Sequence, residues 1–258
     1  MRWLSFFMIM TMGFSAAAQS DWDPVPPRRI IFNPVVSTTA RTLPQWQVGF
    51  QRTSGANINA NLLANSLSVG IFPRLEVGVV PMFYTTAPGS SNFTGKLNFY
   101  KSEEIDGALS ATQTRFRSEV KNDDGVIVER PDLVLNSAQI GFNYHPEGSD
   151  FTISPFLNRV TGYVDSTNGL TFVRSMEAKT EWGVDVQWQM KDREWLTFAY
   201  GWLRDAGLSP YEQMHSGAGV AWSQFRPKEM FSRPSIGIYY SPGTGNTQYL
   251  VSTTFFEL

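Results

Sequence analysis

Apolar and polar residues alternate along much of this chain. From Trp182 to Met190, Trp182, Val184, Val186, Trp188 and Met190 are separated by Gly183, Asp185, Gln187 and Gln189. A period of two is that of an extended strand with one apolar face, since successive side chains leave a strand on opposite sides. The same period returns in Trp46, Val48, Phe50; in Leu67, Val69, Ile71; in Leu75, Val77, Val79; and in Ala138, Ile140, Phe142, Tyr144. It recurs in Leu196, Phe198, Tyr200, Trp202, then in Val220, Trp222, and again in Ile236, Ile238. An all-β fold follows.

Alternation alone fits a soluble sandwich as well as a membrane barrel. Three features favour the barrel. Trp46, Trp182, Trp188, Tyr200, Trp202 and Trp222 sit near strand ends on the apolar face, where an interfacial girdle would hold them. The opposite face is rich in Gln, Asn, Ser, Thr and Gly and poor in Lys and Glu, as a lumen would be. Connections alternate short and long: Phe72-Pro73-Arg74 and Ile105-Asp106-Gly107 against Thr85–Phe93 and Glu119–Asp132. The expected architecture is an antiparallel up-and-down transmembrane β-barrel of about twelve strands: 44–53, 62–72, 74–84, 94–104, 107–118, 133–145, 150–164, 170–190, 193–203, 216–226, 234–241 and 247–258. Pro155 inside its strand implies a bulge. The long segment 170–190 has room for one more turn near Lys179, which would change the strand number.

Two segments precede the barrel. Met1-Arg2, an apolar run from Trp3 to Phe14 and the small residues Ser15 to Ala18 read as a signal peptide over 1–18, too short an apolar run to span a bilayer. Residues 19–43 read as a Pro-rich extended lead-in, expected in the periplasm if the resemblance given below holds. Pro24, Pro26, Pro27 and Pro34 within it, and Pro44 at its end, exclude a central strand or a helix interior. The barrel then occupies 44–258.

Composition narrows the chemistry. The chain has 258 residues, a formal charge of -2 and no cysteine, which leaves no basic footprint for nucleic acid and no thiolate metal site. A mean hydropathy of -0.21 argues against a helical membrane protein. His145 and His215 are the two histidines, expected at opposite ends of the barrel. His215-Ser216 invites comparison with a hydrolytic dyad, but neighbours on a strand point to opposite faces. Asn122-Asp123-Asp124-Gly125 reads as a solvated turn, and Ser241-Pro242-Gly243-Thr244-Gly245-Asn246 as a hairpin turn. No catalytic residue, cofactor or metal is assigned.

The candidate lumen-facing residues are Glu76, Lys96, Asp185 and Gln187, with the charged ones expected to pair with one another or with Arg115 and Arg117. The candidate lipid-facing set is Trp182, Val184, Val186, Trp188, Phe198, Trp202 and Trp222. Glycines on the polar face, Gly183 and Gly201 among them, relieve crowding and let strands bend.

Signal peptide, two-faced strands, alternating turns and an apolar terminal strand together resemble bacterial outer-membrane β-barrels. The stretch Asn65 to Val79 is similar to hairpins of YjbH-type exopolysaccharide-associated barrels. The resemblance implies a non-enzymatic protein of the bacterial outer membrane with both termini periplasmic: a porin-like narrow passive conduit, or a structural or secretion-associated component linked to exopolysaccharide. Its partners would be outer-membrane lipid, the barrel-assembly machinery and an envelope or polysaccharide-export component. Against this stand two other readings, an outer-membrane lipid or lipopolysaccharide hydrolase and a surface adhesin or receptor.

Overall fold

The structure is a computed structural model that describes residues 44–55, 59–72, 74–84, 90–117, 120–121, 124–129, 132–167, 171–204, 214–226, 231 and 233–257. The segments 1–18 and 19–43 lie outside the described residues. In chain order the strands are β1 (Pro44–Ser54), β2 (Asn59–Phe72), β3 (Leu75–Tyr84), β4 (Ser90–Lys101), β5 (Ile105–Arg117), β6 (Val120–Lys121), β7 (Ile127–Glu129), β8 (Asp132–Tyr144), β9 (Phe151–Thr167), β10 (Thr171–Lys191), β11 (Glu194–Arg204), β12 (Met214–Gln224), β13 (Ser235–Ser241) and β14 (Asn246–Glu257).

Twelve of them make one closed antiparallel barrel, each strand pairing with the next along the chain. β6 and β7 form a separate two-stranded ribbon in the connection from β5 to β8, with Asp124 and Gly125 in its turn. Closure comes from β1, which pairs with β2 on one side and with β14 on the other. Gln45 lies opposite Glu257, so both ends of the barrel sequence meet at one rim, called here the terminal rim. A closed barrel has no free sheet edge, which is what a strand-built protein needs in hydrocarbon.

Burial is inverted relative to a soluble protein. Polar side chains such as Ser68, Asn98, Asn143, Ser154, Thr197 and Ser252 are buried, while Leu67, Phe93, Leu109, Leu157, Phe198, Ile236 and Val251 are exposed. On β10 the two environments alternate residue by residue: Trp182 is 45% exposed and Asp185 is 1% exposed. The apolar outer wall carries aromatic contacts at two levels. Phe151 and Trp188 stack at 6.2 Å towards the terminal rim, and Trp182 meets Tyr200 at 6.1 Å towards the other. Near the terminal rim Trp222 also donates its Nε1–H to Glu194 Oε1 at 2.7 Å.

Four expectations change. The turn expected at Ile105–Gly107 falls instead at Ser102–Glu104, where Ile105 N donates to Ser102 Oγ at 3.0 Å. Gly107 belongs to β5, and its missing side chain makes room for the Phe99 ring, whose Cζ would stand 2.8 Å from a Cβ there. Phe99 in turn meets Phe142 edge-on. Pro155 causes no register shift: Gly141↔Phe156 and Tyr144↔Ile153 share one offset, and Pro155 lies opposite Val184. Between those pairs Ser154 Oγ donates to Asn143 Oδ1 at 2.8 Å, a side-chain bridge where proline lacks the amide to give. No turn occurs near Lys179; the register of β9 with β10 shifts between Met176 and Lys179, a bulge inside one long strand. Finally, the short and long connections do not alternate strictly, because the terminal rim carries the stretch from Phe225 to Pro234 between β12 and β13.

Candidate functional site

The interior of the barrel is the candidate site, and register arranges it. Residues directly opposite across neighbouring strands point to the same face, so rows of inward side chains can be followed around the wall. One row runs Gly70, Glu76, Lys96, Ser110, Gln139, Asn158, Glu181 across β2 to β10. Every member except the glycine can hydrogen-bond. Lys96 Nζ lies 3.9 Å from Glu76 Oε2 with both side chains buried. Asn158 Nδ2 donates to Glu181 Oε2 at 2.8 Å.

A second row passes through Asp106, Asn143, Ser154, Asp185, Ala199, Gly219 and Tyr239. Asp185 and Gln187 are both buried in the interior wall of β10, as Glu76 and Lys96 are in the walls of β3 and β4. Trp182, Trp188, Phe198 and Trp202 are exposed on the outer wall; Val184, Val186 and Trp222, half-buried, take the outward parity beside them. Arg115 is exposed on the outer wall rather than in the lumen, so it does not face the interior acids. The side chain of Arg117 lies outside the described residues.

Several interior residues escape an alternation pattern. Phe156, Trp195, Tyr239 and Leu250 are bulky and apolar yet buried on the inner side. Glycines make room for two of them. A Cβ on Gly183 would lie 2.6 Å from Phe156 Cε1, and a Cβ on Gly219 would lie 3.2 Å from Tyr239 Cδ2; Tyr239 also reaches over Gly217. The readable signal was the glycine in the neighbouring strand, not the aromatic itself. At the terminal rim Phe225 and Arg233 are buried together, the guanidinium 4.5 Å above the ring.

The histidines stay apart. His145 Nδ1 is 2.8 Å from Thr152 Oγ1, and its Nε2 is 3.8 Å from Asp106 Oδ2, near the terminal rim. Hydroxyl, imidazole and carboxylate follow the order of a nucleophile site, but 3.8 Å exceeds a hydrogen bond and nothing anchors the third group. His215 lies beside Gly243 of the β13–β14 hairpin, at the far rim. Ser216 accepts a hydrogen bond at its carbonyl from Ser241 Oγ. Among the described residues no group of three His, Asp or Glu could hold a metal ion.

Solved structures share this fold. The chain aligns with the NanC porin over 83% of its length and all of that protein, with a TM-score of 0.57 at 8% identity. It also aligns with the β domain of the Bordetella autotransporter BrkA over 83% of its length and 98% of that domain, with a TM-score of 0.50 at 11% identity. The likeness is one of architecture. One relative is a porin and the other an autotransporter domain, so the shared barrel does not carry a shared activity. No protein-family model matches the sequence, and no curated protein matches it.

Proposed function

We propose that the protein is a bacterial outer-membrane β-barrel that acts as a narrow passive conduit, exported by its first eighteen residues and held with both termini in the periplasm. The observation that carries this reading is the inverted polarity of a closed twelve-stranded wall: aromatic and aliphatic side chains outside, amides, hydroxyls and paired charges inside. An apolar exterior needs hydrocarbon around it, and a polar interior needs water or polar solute within. Twelve strands fall between eight, where side chains fill the bore, and the sixteen to eighteen that leave a wide channel. A narrow path suits that middle size.

One observation favours a second reading, a structural or secretion-associated barrel with a closed bore. Asp185, Ser154 and Leu250 are almost inaccessible. The similarity of Asn65–Val79 to exopolysaccharide-associated hairpins adds a link to polysaccharide export, and this stretch forms the β2–β3 hairpin around the turn at Arg74. Planar-bilayer recording of the refolded protein, combined with liposome swelling in neutral sugars, separates the two. Discrete conductance steps and swelling support the conduit. A folded, inserted protein with neither supports the structural component.

A further inference from the structure

Outside the bore, the wall is not uniformly apolar. Counting eight residues from the terminal-rim end of each strand gives one level of outward positions. On β4, β11 and β14 that level holds Phe93, Trp202 and Tyr249, all exposed. On β5, β8 and β9 it holds Gln113, Asn136 and Arg159. The register joins these last strands into one patch, with Gln113 opposite Asn136, Asn136 opposite Thr161, and Arg159 opposite Thr180. Gln113 Nε2 donates to Asn136 Oδ1 at 2.9 Å, and Arg159 Nη1 donates to Thr180 Oγ1 at 2.7 Å.

Eight residues cover roughly 26 Å along a strand at about 3.3 Å each, or roughly 20 Å of height at the usual tilt. The apolar band of such a barrel is about 25 Å tall, so the patch lies inside it, roughly 5 Å short of the border farther from the termini. An arginine at that depth faces the lipid and is long enough to snorkel its guanidinium up to the head groups. Arg159 is exposed, and among the described residues no carboxylate pairs with it, Glu177 in the bulge of β10 included. The guanidinium is held by a hydroxyl with most of its donors unspent, beside the hydroxyl of Thr161 and the amide of Asn136. Hydrogen-bond donors around an uncompensated cation match a phosphate.

We propose that this notch in the outer wall, centred on Arg159, binds the phosphate of a lipid head group in the leaflet farther from the chain termini. The proposal rests on the outer-membrane reading above. A second copy of the chain is the poorer occupant, because a two-fold contact would set Arg159 against its own counterpart.

The test uses the full mature protein refolded in dodecyl maltoside, with phosphatidic acid, diacylglycerol or inorganic phosphate added. Bound lipid is counted by native mass spectrometry and the urea midpoint is followed. Phosphatidic acid should bind and raise the midpoint, while diacylglycerol and inorganic phosphate at equal concentration should not. R159Q should need about tenfold more phosphatidic acid, the loss of one charge-assisted contact. T180V, which frees the guanidinium, should lie between. R52Q, which removes the exposed arginine at the same level of β1, should bind as the wild type does. Wild-type binding by R159Q, an equal loss in R52Q, or equal stabilisation by inorganic phosphate would each overturn the lipid site. So would an oligomer that R159Q dissociates while phosphatidic acid binding is unchanged. Failure to form any heat-modifiable folded species would instead defeat the membrane-barrel reading itself.

Discussion

The ring of Phe156 occupies the space that a side chain on Gly183 would need: a Cβ at residue 183 would stand 2.6 Å from Phe156 Cε1 and 3.0 Å from the Tyr200 carbonyl oxygen. The aromatic can rotate away, but the backbone oxygen of β11 cannot. Gly183→Ala should therefore destabilise the barrel by about 1–3 kcal/mol, the usual cost of overpacking. Gly95→Ala is the matched comparison, since nothing lies within 4 Å of a Cβ there. It should be neutral or stabilising by about 0.5 kcal/mol through the unfolded chain. Urea titration of the detergent-refolded proteins measures both.

Interior charge gives a second prediction. Lys96 and Glu76 are buried 3.9 Å apart, so Lys96→Met takes a cation away from a buried carboxylate. The expected loss is about 3 kcal/mol, and the double variant Lys96→Met with Glu76→Gln should recover most of it. A double variant no more stable than Lys96→Met alone would show that other neighbours of Glu76 carry the charge.

The two faces of β10 can be tested one residue apart. Val186→Arg puts a cation on the outer wall between Trp182 and Trp188, whereas Gln187→Arg puts one inside. The first should cost roughly 2–4 kcal/mol near the bilayer midplane. Arginine at 187 should leave refolding into liposomes largely intact. Equal tolerance at both positions would undo the inside and outside assignment of the whole strand.

Asp185 offers an electrical readout. It is buried in the inner wall of β10, one turn of the pleat from Gln187 and opposite Ala199. If the bore conducts, Asp185→Asn should shift the reversal potential under a salt gradient towards anions, because a fixed negative charge has left the path. An unchanged potential would place the ion path away from this wall.

How far the sequence could be read depended on which side of the wall a residue faces. Outward positions build one continuous apolar wall at every second residue, so Leu67, Leu157 or Phe198 announce their strands with no knowledge of neighbours. Inward positions answer to local space instead. Phe156 and Tyr239 break the polar pattern because glycines directly opposite them on the neighbouring strands, Gly183 and Gly219, make room for them, and that pairing depends on register. The same blindness misplaced the turn before Gly107, which looks like a turn glycine and serves as clearance for Phe99. Gln113 and Arg115 interrupted an otherwise apolar face on β5; their exposure on the outer wall makes them surface features rather than flaws in the strand.

Trp46 pairs with Phe255, so the contact that seals the wall joins the first strand to the last. Until β14 arrives, β1 has no second neighbour, and each of its unmatched amides would be costly in hydrocarbon. A ribosome or a translocon delivering the chain from its N-terminus can therefore never release a partial barrel able to live in the bilayer. On the exported outer-membrane reading proposed above, the whole polypeptide must arrive before any of the wall can close. Truncation by even one strand should leave β1 without its second neighbour, and the shortened chain should yield no heat-modifiable folded species.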